Sequence, residues 1–214
     1  MEILKGLPVA QAINEELIKE SQEAGIKPHL AIIRVGERPD DCSYERGATK
    51  KMDKVGFDCT SYVFPQDITD EEFQKEFDKI NNDDNIDGIL LLRPLPKHIN
   101  EKAIEERINP VKDLDGISPI NLAKVYAGDV NGFAPCTAEA VIEMLDYAGI
   151  DLTGKRVTVV GRSLVIGKPV AMMLMKKNAT VTVCHTKTKD MAGTCRNAEV
   201  LVAAAGSAKM IKPD

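Results

Sequence analysis

Residues 155–168 read KRVTVVGRSLVIGK, a β-branched run followed by Gly161-Arg162-Ser163 and then by Gly167 ahead of Lys168-Pro169. A strand, a glycine turn and a helix N-terminus in that order make an anion site, because backbone N–H groups and the helix dipole both face the turn. The spacing is not G-x-G-x-x-G, so an ordinary βα connection is the competing reading. The next β-rich run ends in Cys184-His185-Thr186-Lys187, about where a mononucleotide-binding unit sets the acid that holds ribose hydroxyls. No acid stands there. Arg162, Thr186, Lys187 and Lys189 offer hydrogen bonds and positive charge instead, which suits a 2′-phosphate and favours NADP, with NAD as the alternative. The bland reading is that these lysines only solvate a strand end.

Other reactive side chains are less telling. Cys42, Cys59, Cys136, Cys184 and Cys195 are odd in number and never spaced C-x-x-C, so neither a disulfide framework nor a zinc site is expected, and no metal is assigned. Tyr44 by type alone is a half-buried helix aromatic, and Asp115 a turn residue before glycine.

The elements that must position these residues alternate strand and helix along the whole chain, the pattern of an α/β protein with largely parallel sheets. Residues 9–24 carry apolar positions at helical spacing. His29–Val35 is a short β-rich run, 43–55 a helix closed by Gly56, 60–64 a second strand and Asp70–Asn81 an acidic helix. Residues 86–92 form an almost unbroken apolar run, expected as a central strand, stopped by Arg93-Pro94-Leu95-Pro96. Thr137 is the expected N-cap of a helix over 138–148 that marks the boundary between domains 1–137 and 138–214. Arg156–Val160, Thr180–Cys184 and 199–204 follow as strands, with a helix between the first two.

With 214 residues, 43% hydrophobic and 29% charged, the chain has the composition of a globular protein with a real core. A formal charge of -5 gives no electrostatic reason to bind nucleic acid. No apolar run is long enough for a membrane span and residues 1–6 lack a signal-peptide core, so the expected location is the cytoplasm.

Several stretches, taken together and in order, resemble the bifunctional methylenetetrahydrofolate dehydrogenase/methenyltetrahydrofolate cyclohydrolase family. They are Val35-Gly36 leading into Ser43-Tyr44, Asp87-Gly88-Ile89 leading into Pro94-Leu95-Pro96, and Lys112-Asp113-Leu114-Asp115-Gly116. The match continues through Pro135-Cys136-Thr137, Gly161-Arg162-Ser163 with Gly167-Lys168-Pro169, and Asn178-Ala179-Thr180 running to His185. The resemblance implies two αβα domains with a cleft between them. Tetrahydrofolate one-carbon derivatives would bind on the first domain and NAD(P) on the second, Rossmann-like one, in a homodimer. Tyr44 would stack on the aminobenzoyl part of the folate and Asp115 would hydrogen-bond the pterin. The reaction is then oxidation of 5,10-methylenetetrahydrofolate, in which placing the two reacting rings carries most of the catalysis. A non-catalytic folate- or nucleotide-binding remnant is the alternative.

Three departures from the family pattern shape the expectation. The family lysine four residues after the tyrosine is Ala48 here, and the glutamine that precedes the family's L-P-L-P is Leu92, followed by Arg93. Cyclohydrolase activity is therefore expected to be weak or absent. The sequence stops at Asp214, before the family's last strands and its P-G-G-V-G-P segment, so the second domain is expected to be incomplete at its C-terminus, with an apolar edge at 200–204.

Overall fold

The structure, a computed structural model, describes residues 3–207 and 209–212. It divides into two compact units, one spanning Lys5–Asn121 and the other taking in the chain from Leu122 onward.

The N-terminal unit is built on a parallel three-stranded sheet in the order β2-β1-β3, from β1 (His29–Val35), β2 (Asp58–Phe64) and β3 (Gly88–Leu91). Side-chain alternation along β1 gives the sheet two apolar faces. Ala31, Ile33 and Val35 pack with Phe73, Phe77 and Ile80 of α3 (Asp70–Asn81) and with Ile104 of α4 (Glu101–Arg107). Leu30 and Ile32 point the other way, towards Ala48 and Met52 of α2 (Pro39–Val55). A further helix, α1 (Gly6–Ala24), touches α2. Local chemistry agrees with these limits. Pro39 opens α2 with Asp40 and Asp41 in its first turn, and Gly56 closes it at φ 80. Thr69 and Glu72 form a reciprocal capping box at the start of α3.

The C-terminal unit repeats the plan. Its sheet runs β5-β4-β6, with β4 (Arg156–Val160), β5 (Thr180–Cys184) and β6 (Val200–Ala203) all parallel. Ala138 and Ile142 of α6 (Cys136–Tyr147) share a core with Val157, Val159 and the Val170-Ala171 and Leu174 face of α7 (Gly167–Lys176). The short α8 (Met191–Arg196) precedes β6, and α5 (Pro119–Ala127) spans the point where the two units divide.

Four expectations need correction. The central strand of the first sheet is β1, and the 86–92 run supplies the shorter β3 beside it. That run is buried all the same because Lys112 and Leu114 exchange backbone hydrogen bonds with Ile89 along its outer edge. Thr137 is not an N-cap, since α6 already starts at Cys136 behind Pro135, which makes no side-chain cap bond. Helices α4, α5 and α8, at 7, 9 and 6 residues, are too short for periodicity to reveal them. Finally, α2 begins four residues before Ser43, because Pro39 is an opener of helices as well as a breaker.

Candidate active site

In both sheets the chain leaves the first strand on one side and returns on the other, so each has a topological switch point. Open parallel sheets bind ligands just outside the carboxyl ends of the strands that flank such a point. In the N-terminal unit these are the ends of β1 and β3, and in the C-terminal unit those of β4 and β6.

Beyond β4 the backbone turns at Gly161, with φ 131, a conformation open to glycine and strained for other residues. A Cβ added there would lie 2.3 Å from the Ala204 carbonyl oxygen, and one added at Gly167 would lie 2.3 Å from the Gly161 carbonyl oxygen. Three backbone segments thus converge with no room for a side chain, the close approach that a pyrophosphate cradle requires. The Ser163 hydroxyl accepts from the Ile166 and Gly167 N–H groups at 3.1 and 3.4 Å, and the Ser163 carbonyl from the Lys168 N–H at 3.0 Å. Two of the amides expected to face an anion are therefore capped by Ser163. Arg162 is exposed. The Gly161 N–H donates to the Cys184 carbonyl at 2.9 Å, which sets Arg162 beside the turn that follows β5. In that turn the His185 and Lys187 N–H groups donate to Thr188 Oγ1 and His185 Nδ1, at 2.9 and 3.1 Å. Thr186 and Lys187 stand out to solvent from it.

In the N-terminal unit the expected residues come from three elements. Tyr44 projects from α2 and is 57% exposed. Asp113 and Asp115, two residues apart, have opposite fates. Asp113 is buried and accepts from the Ile117 and Ser118 N–H groups and from Asn121 Nδ2, at 2.9, 2.8 and 2.9 Å, so it holds the loop's shape. Lys112 anchors the same loop to the end of α3 by donating to the carbonyls of Asn81 and Asp83, at 3.1 and 2.7 Å. Asp115 takes no part in that buried network and is half-buried, with its side chain 30% exposed.

Ala48 and Leu92 are brought together. Both belong to the apolar cluster of Leu30, Ile32, Met52, Leu90 and Leu114 between α2 and the sheet. The two positions at which the resemblance implies a lysine and a glutamine thus share one apolar patch. Neither nearby lysine fills it. Lys51 Nζ donates to Asn14 of α1 at 3.0 Å, and Lys50 lines an open depression with Arg34, Cys42 and Glu45. Arg93 is turned to the opposite face of the strand, as alternation demands. There its Nη1 meets Glu105 at 3.0 Å and Glu101 at 3.5 Å, and its Nη2 lies 3.9 Å from Asp115. Sequence reasoning missed this contact between Arg93 and Asp115. Its signal was there in the parity of 91 and 93, but two of the three partners, Glu101 and Glu105, lie on α4, which periodicity did not reveal.

Behind Tyr44, Glu45 and Arg34 form an ion pair at 2.6 Å with side chains 14% and 11% exposed. Burial pushes the Glu45 carboxyl up, but hydrogen bonds from Ser61 and Arg34 and the arginine's charge outweigh it and hold the group below its ordinary range. Among the described residues, no group of three or more His, Cys, Asp or Glu side chains is placed to hold a metal ion.

Known proteins match both halves. Residues 4–115 match the catalytic domain of tetrahydrofolate dehydrogenase/cyclohydrolase, and residues 135–214 match the NAD(P)-binding domain of the same family. The bifunctional protein FolD of Clostridioides difficile is 52% identical over 98% of this chain and 74% of its own length. The crystal structure of the bifunctional FolD dehydrogenase/cyclohydrolase from Campylobacter jejuni superposes with a TM-score of 0.94 at 37% identity, over 99% of this chain and 76% of that one. The Trypanosoma brucei dehydrogenase-cyclohydrolase, solved with NADP and an inhibitor, gives 0.88 at 36% identity, over 96% and 72%. With both of its halves matched in order and at this level of identity, the chain belongs to the tetrahydrofolate dehydrogenase/cyclohydrolase family.

Proposed function

We propose that the protein oxidises 5,10-methylenetetrahydrofolate to 5,10-methenyltetrahydrofolate with NADP, and that it hydrolyses the methenyl product poorly or not at all. The observation that carries the first part is the family match across both units with the Gly161 and Gly167 turn intact. The side-chain-free convergence of backbone at that turn fits a dinucleotide. Gly161, Ser163 and Gly167 would lie against its pyrophosphate, and Arg162 and Thr186 against its 2′-phosphate. NADP, when bound, takes up the hydride.

The chain's own residues bind and orient. Tyr44 supplies an exposed ring for the aminobenzoyl group and Asp115 a carboxylate for the N–H donors of the pterin. No strong base is required, because the folate nitrogens themselves make the bridging carbon a hydride donor, so catalysis is chiefly placement of the two rings. Hydrolysis is different, since it needs a polar group to guide water and protons at that carbon. The side chains at 48 and 92 themselves, packed with Leu30, Ile32 and Leu114, supply no such group.

Following NADP reduction with 5,10-methylenetetrahydrofolate as substrate tests the reading. Cofactor-dependent turnover is expected, and tight binding of both ligands without turnover would overturn it in favour of a non-catalytic remnant. The working form is proposed to be a cytoplasmic homodimer, to be checked by sedimentation. No described helix is long and apolar enough to cross a membrane.

A further inference from the structure

We propose that Arg93 is a positioning residue for folate, which holds the Asp115 carboxylate at the carboxyl end of the first sheet by standing between it and the two glutamates of α4. The inference rests on the reading of Asp115 as the pterin contact and assigns that contact a second residue.

Both ends of Arg93 are fixed. Arg38, itself paired with Asp41 at 2.7 Å, donates to the Arg93 and Pro94 carbonyls at 3.2 and 3.1 Å. Glu101 accepts from the Leu95 N–H at 2.8 Å, so α4 grips the turn that follows β3 as well as the guanidinium. The guanidinium, 21% exposed, is shared among three carboxylates, those of Glu101, Glu105 and Asp115.

The arrangement is a poor one for stability alone. Arg93 Nε is buried with no hydrogen-bond partner among the described residues, and an unsatisfied buried N–H is a net cost. One cation among three acids leaves an excess of negative charge that an apolar side chain together with fewer acids would avoid. What the arrangement does provide is direction. Glu105 and Glu101 take the nearer Nη1 contacts, while Asp115 at 3.9 Å is attracted without being consumed by a short hydrogen bond. Its oxygens stay available to a ligand that presents two N–H donors side by side, as a pterin does. Without Arg93 the same carboxylate would face two uncompensated glutamates and be driven away from them.

The test compares wild type with Arg93→Leu, Arg93→Lys and the double variant Arg93→Leu/Glu105→Gln, measuring kcat, both KM values and tetrahydrofolate binding without NADP. Arg93→Leu is expected to raise the folate KM about ten-fold while changing kcat and the NADP KM by less than about two-fold, with Arg93→Lys recovering most of the loss. A general loosening of the fold would move both KM values and would not be rescued by lysine. Should Arg93→Leu fail to fold, the double variant, which also removes one of the stranded acids, is expected to show the same folate-specific rise. A folded Arg93→Leu or double variant with unchanged folate KM and tetrahydrofolate affinity would overturn the proposal. Absence of turnover and of tetrahydrofolate binding in wild type would instead refute the folate reading itself, so the two failures are distinct.

Discussion

The two units repeat one topology, with the first strand of each sheet flanked by the second on one side and the third on the other, yet their switch points are made of different material. Beyond β4 the space is defined by backbone, since Cβ atoms at Gly161 and Gly167 would each come within 2.3 Å of a carbonyl oxygen. Beyond β3 it is defined by side chains, the apolar Ala48 and Leu92 and the charged Arg93 with Asp115. A crevice of the first kind can only be kept or broken. One of the second kind can exchange a polar pair for an apolar one while the strands stay where they are, which is the exchange proposed here for Ala48 and Leu92.

The largest effect should come from breaking the backbone crevice. Gly161→Ala puts a methyl group against Ala204 and asks alanine to hold φ 131, so NADP-dependent kcat/KM is expected to fall by more than about 100-fold. Tetrahydrofolate binding measured without cofactor should stay within about two-fold of wild type, since the substitution lies in the other unit. Equal loss of both would show that the two switch points do not act separately.

The next effect tests the side-chain crevice. Wild-type hydrolysis of 5,10-methenyltetrahydrofolate is expected near the rate in buffer, and Ala48→Lys/Leu92→Gln should raise it at least about ten-fold. Hydrolysis well above the buffer rate in wild type, unimproved by the double variant, would defeat the idea. Leu92→Gln alone should cost about 1–3 kcal/mol of stability, because it buries an amide among Leu30, Ile32 and Met52 with no lysine to meet it.

These two crevices also differ in how much of them the sequence discloses. Strands β1, β4 and β5 were legible to the residue, being short β-branched runs bounded by glycine or a turn, and so were the limits of α3. The glycine turn was legible too, because a backbone constraint is written in residue type. Which amides it would leave for an anion was not, since Ser163 Oγ folds back onto two of them. Alternation set Leu92 and Arg93 on opposite faces of the sheet. Glu101 and Glu105, two of the three acids that Arg93 meets, were hidden because α4 is a seven-residue helix whose position depends on tertiary packing.

A smaller difference is expected in cofactor choice. The acid-free turn with Arg162 and Thr186 should favour NADP over NAD by about ten-fold in kcat/KM, and Arg162→Ala/Thr186→Ala should bring the two cofactors within about two-fold. Equal or better efficiency with NAD in wild type would refute this.

The smallest effect concerns the charge on which each unit rests. Ion pairs of the C-terminal unit, Lys155 and Arg156 with Glu199 and Lys177 with Asp146, are at least 35% exposed on every side chain and should contribute little. The Arg34 and Glu45 pair of the N-terminal unit is mostly buried, so removing one partner leaves the other charge stranded. Glu45→Gln keeps the side chain's shape and loses its charge, and is expected to cost about 1 kcal/mol at neutral pH. The sign of the pH dependence follows from the depressed Glu45 value. Its contribution is complete above the ordinary glutamate range and is lost as pH falls through the lower, folded-state value, where the carboxyl takes up a proton. Melting curves of wild type and Glu45→Gln should therefore separate at neutral pH and converge in acid, and amide exchange should show acid loosening β1 and β2 before β4 and β5. A constant gap across that range, or earlier loss in the C-terminal sheet, would mean that the pair does not carry the N-terminal unit's response to acid.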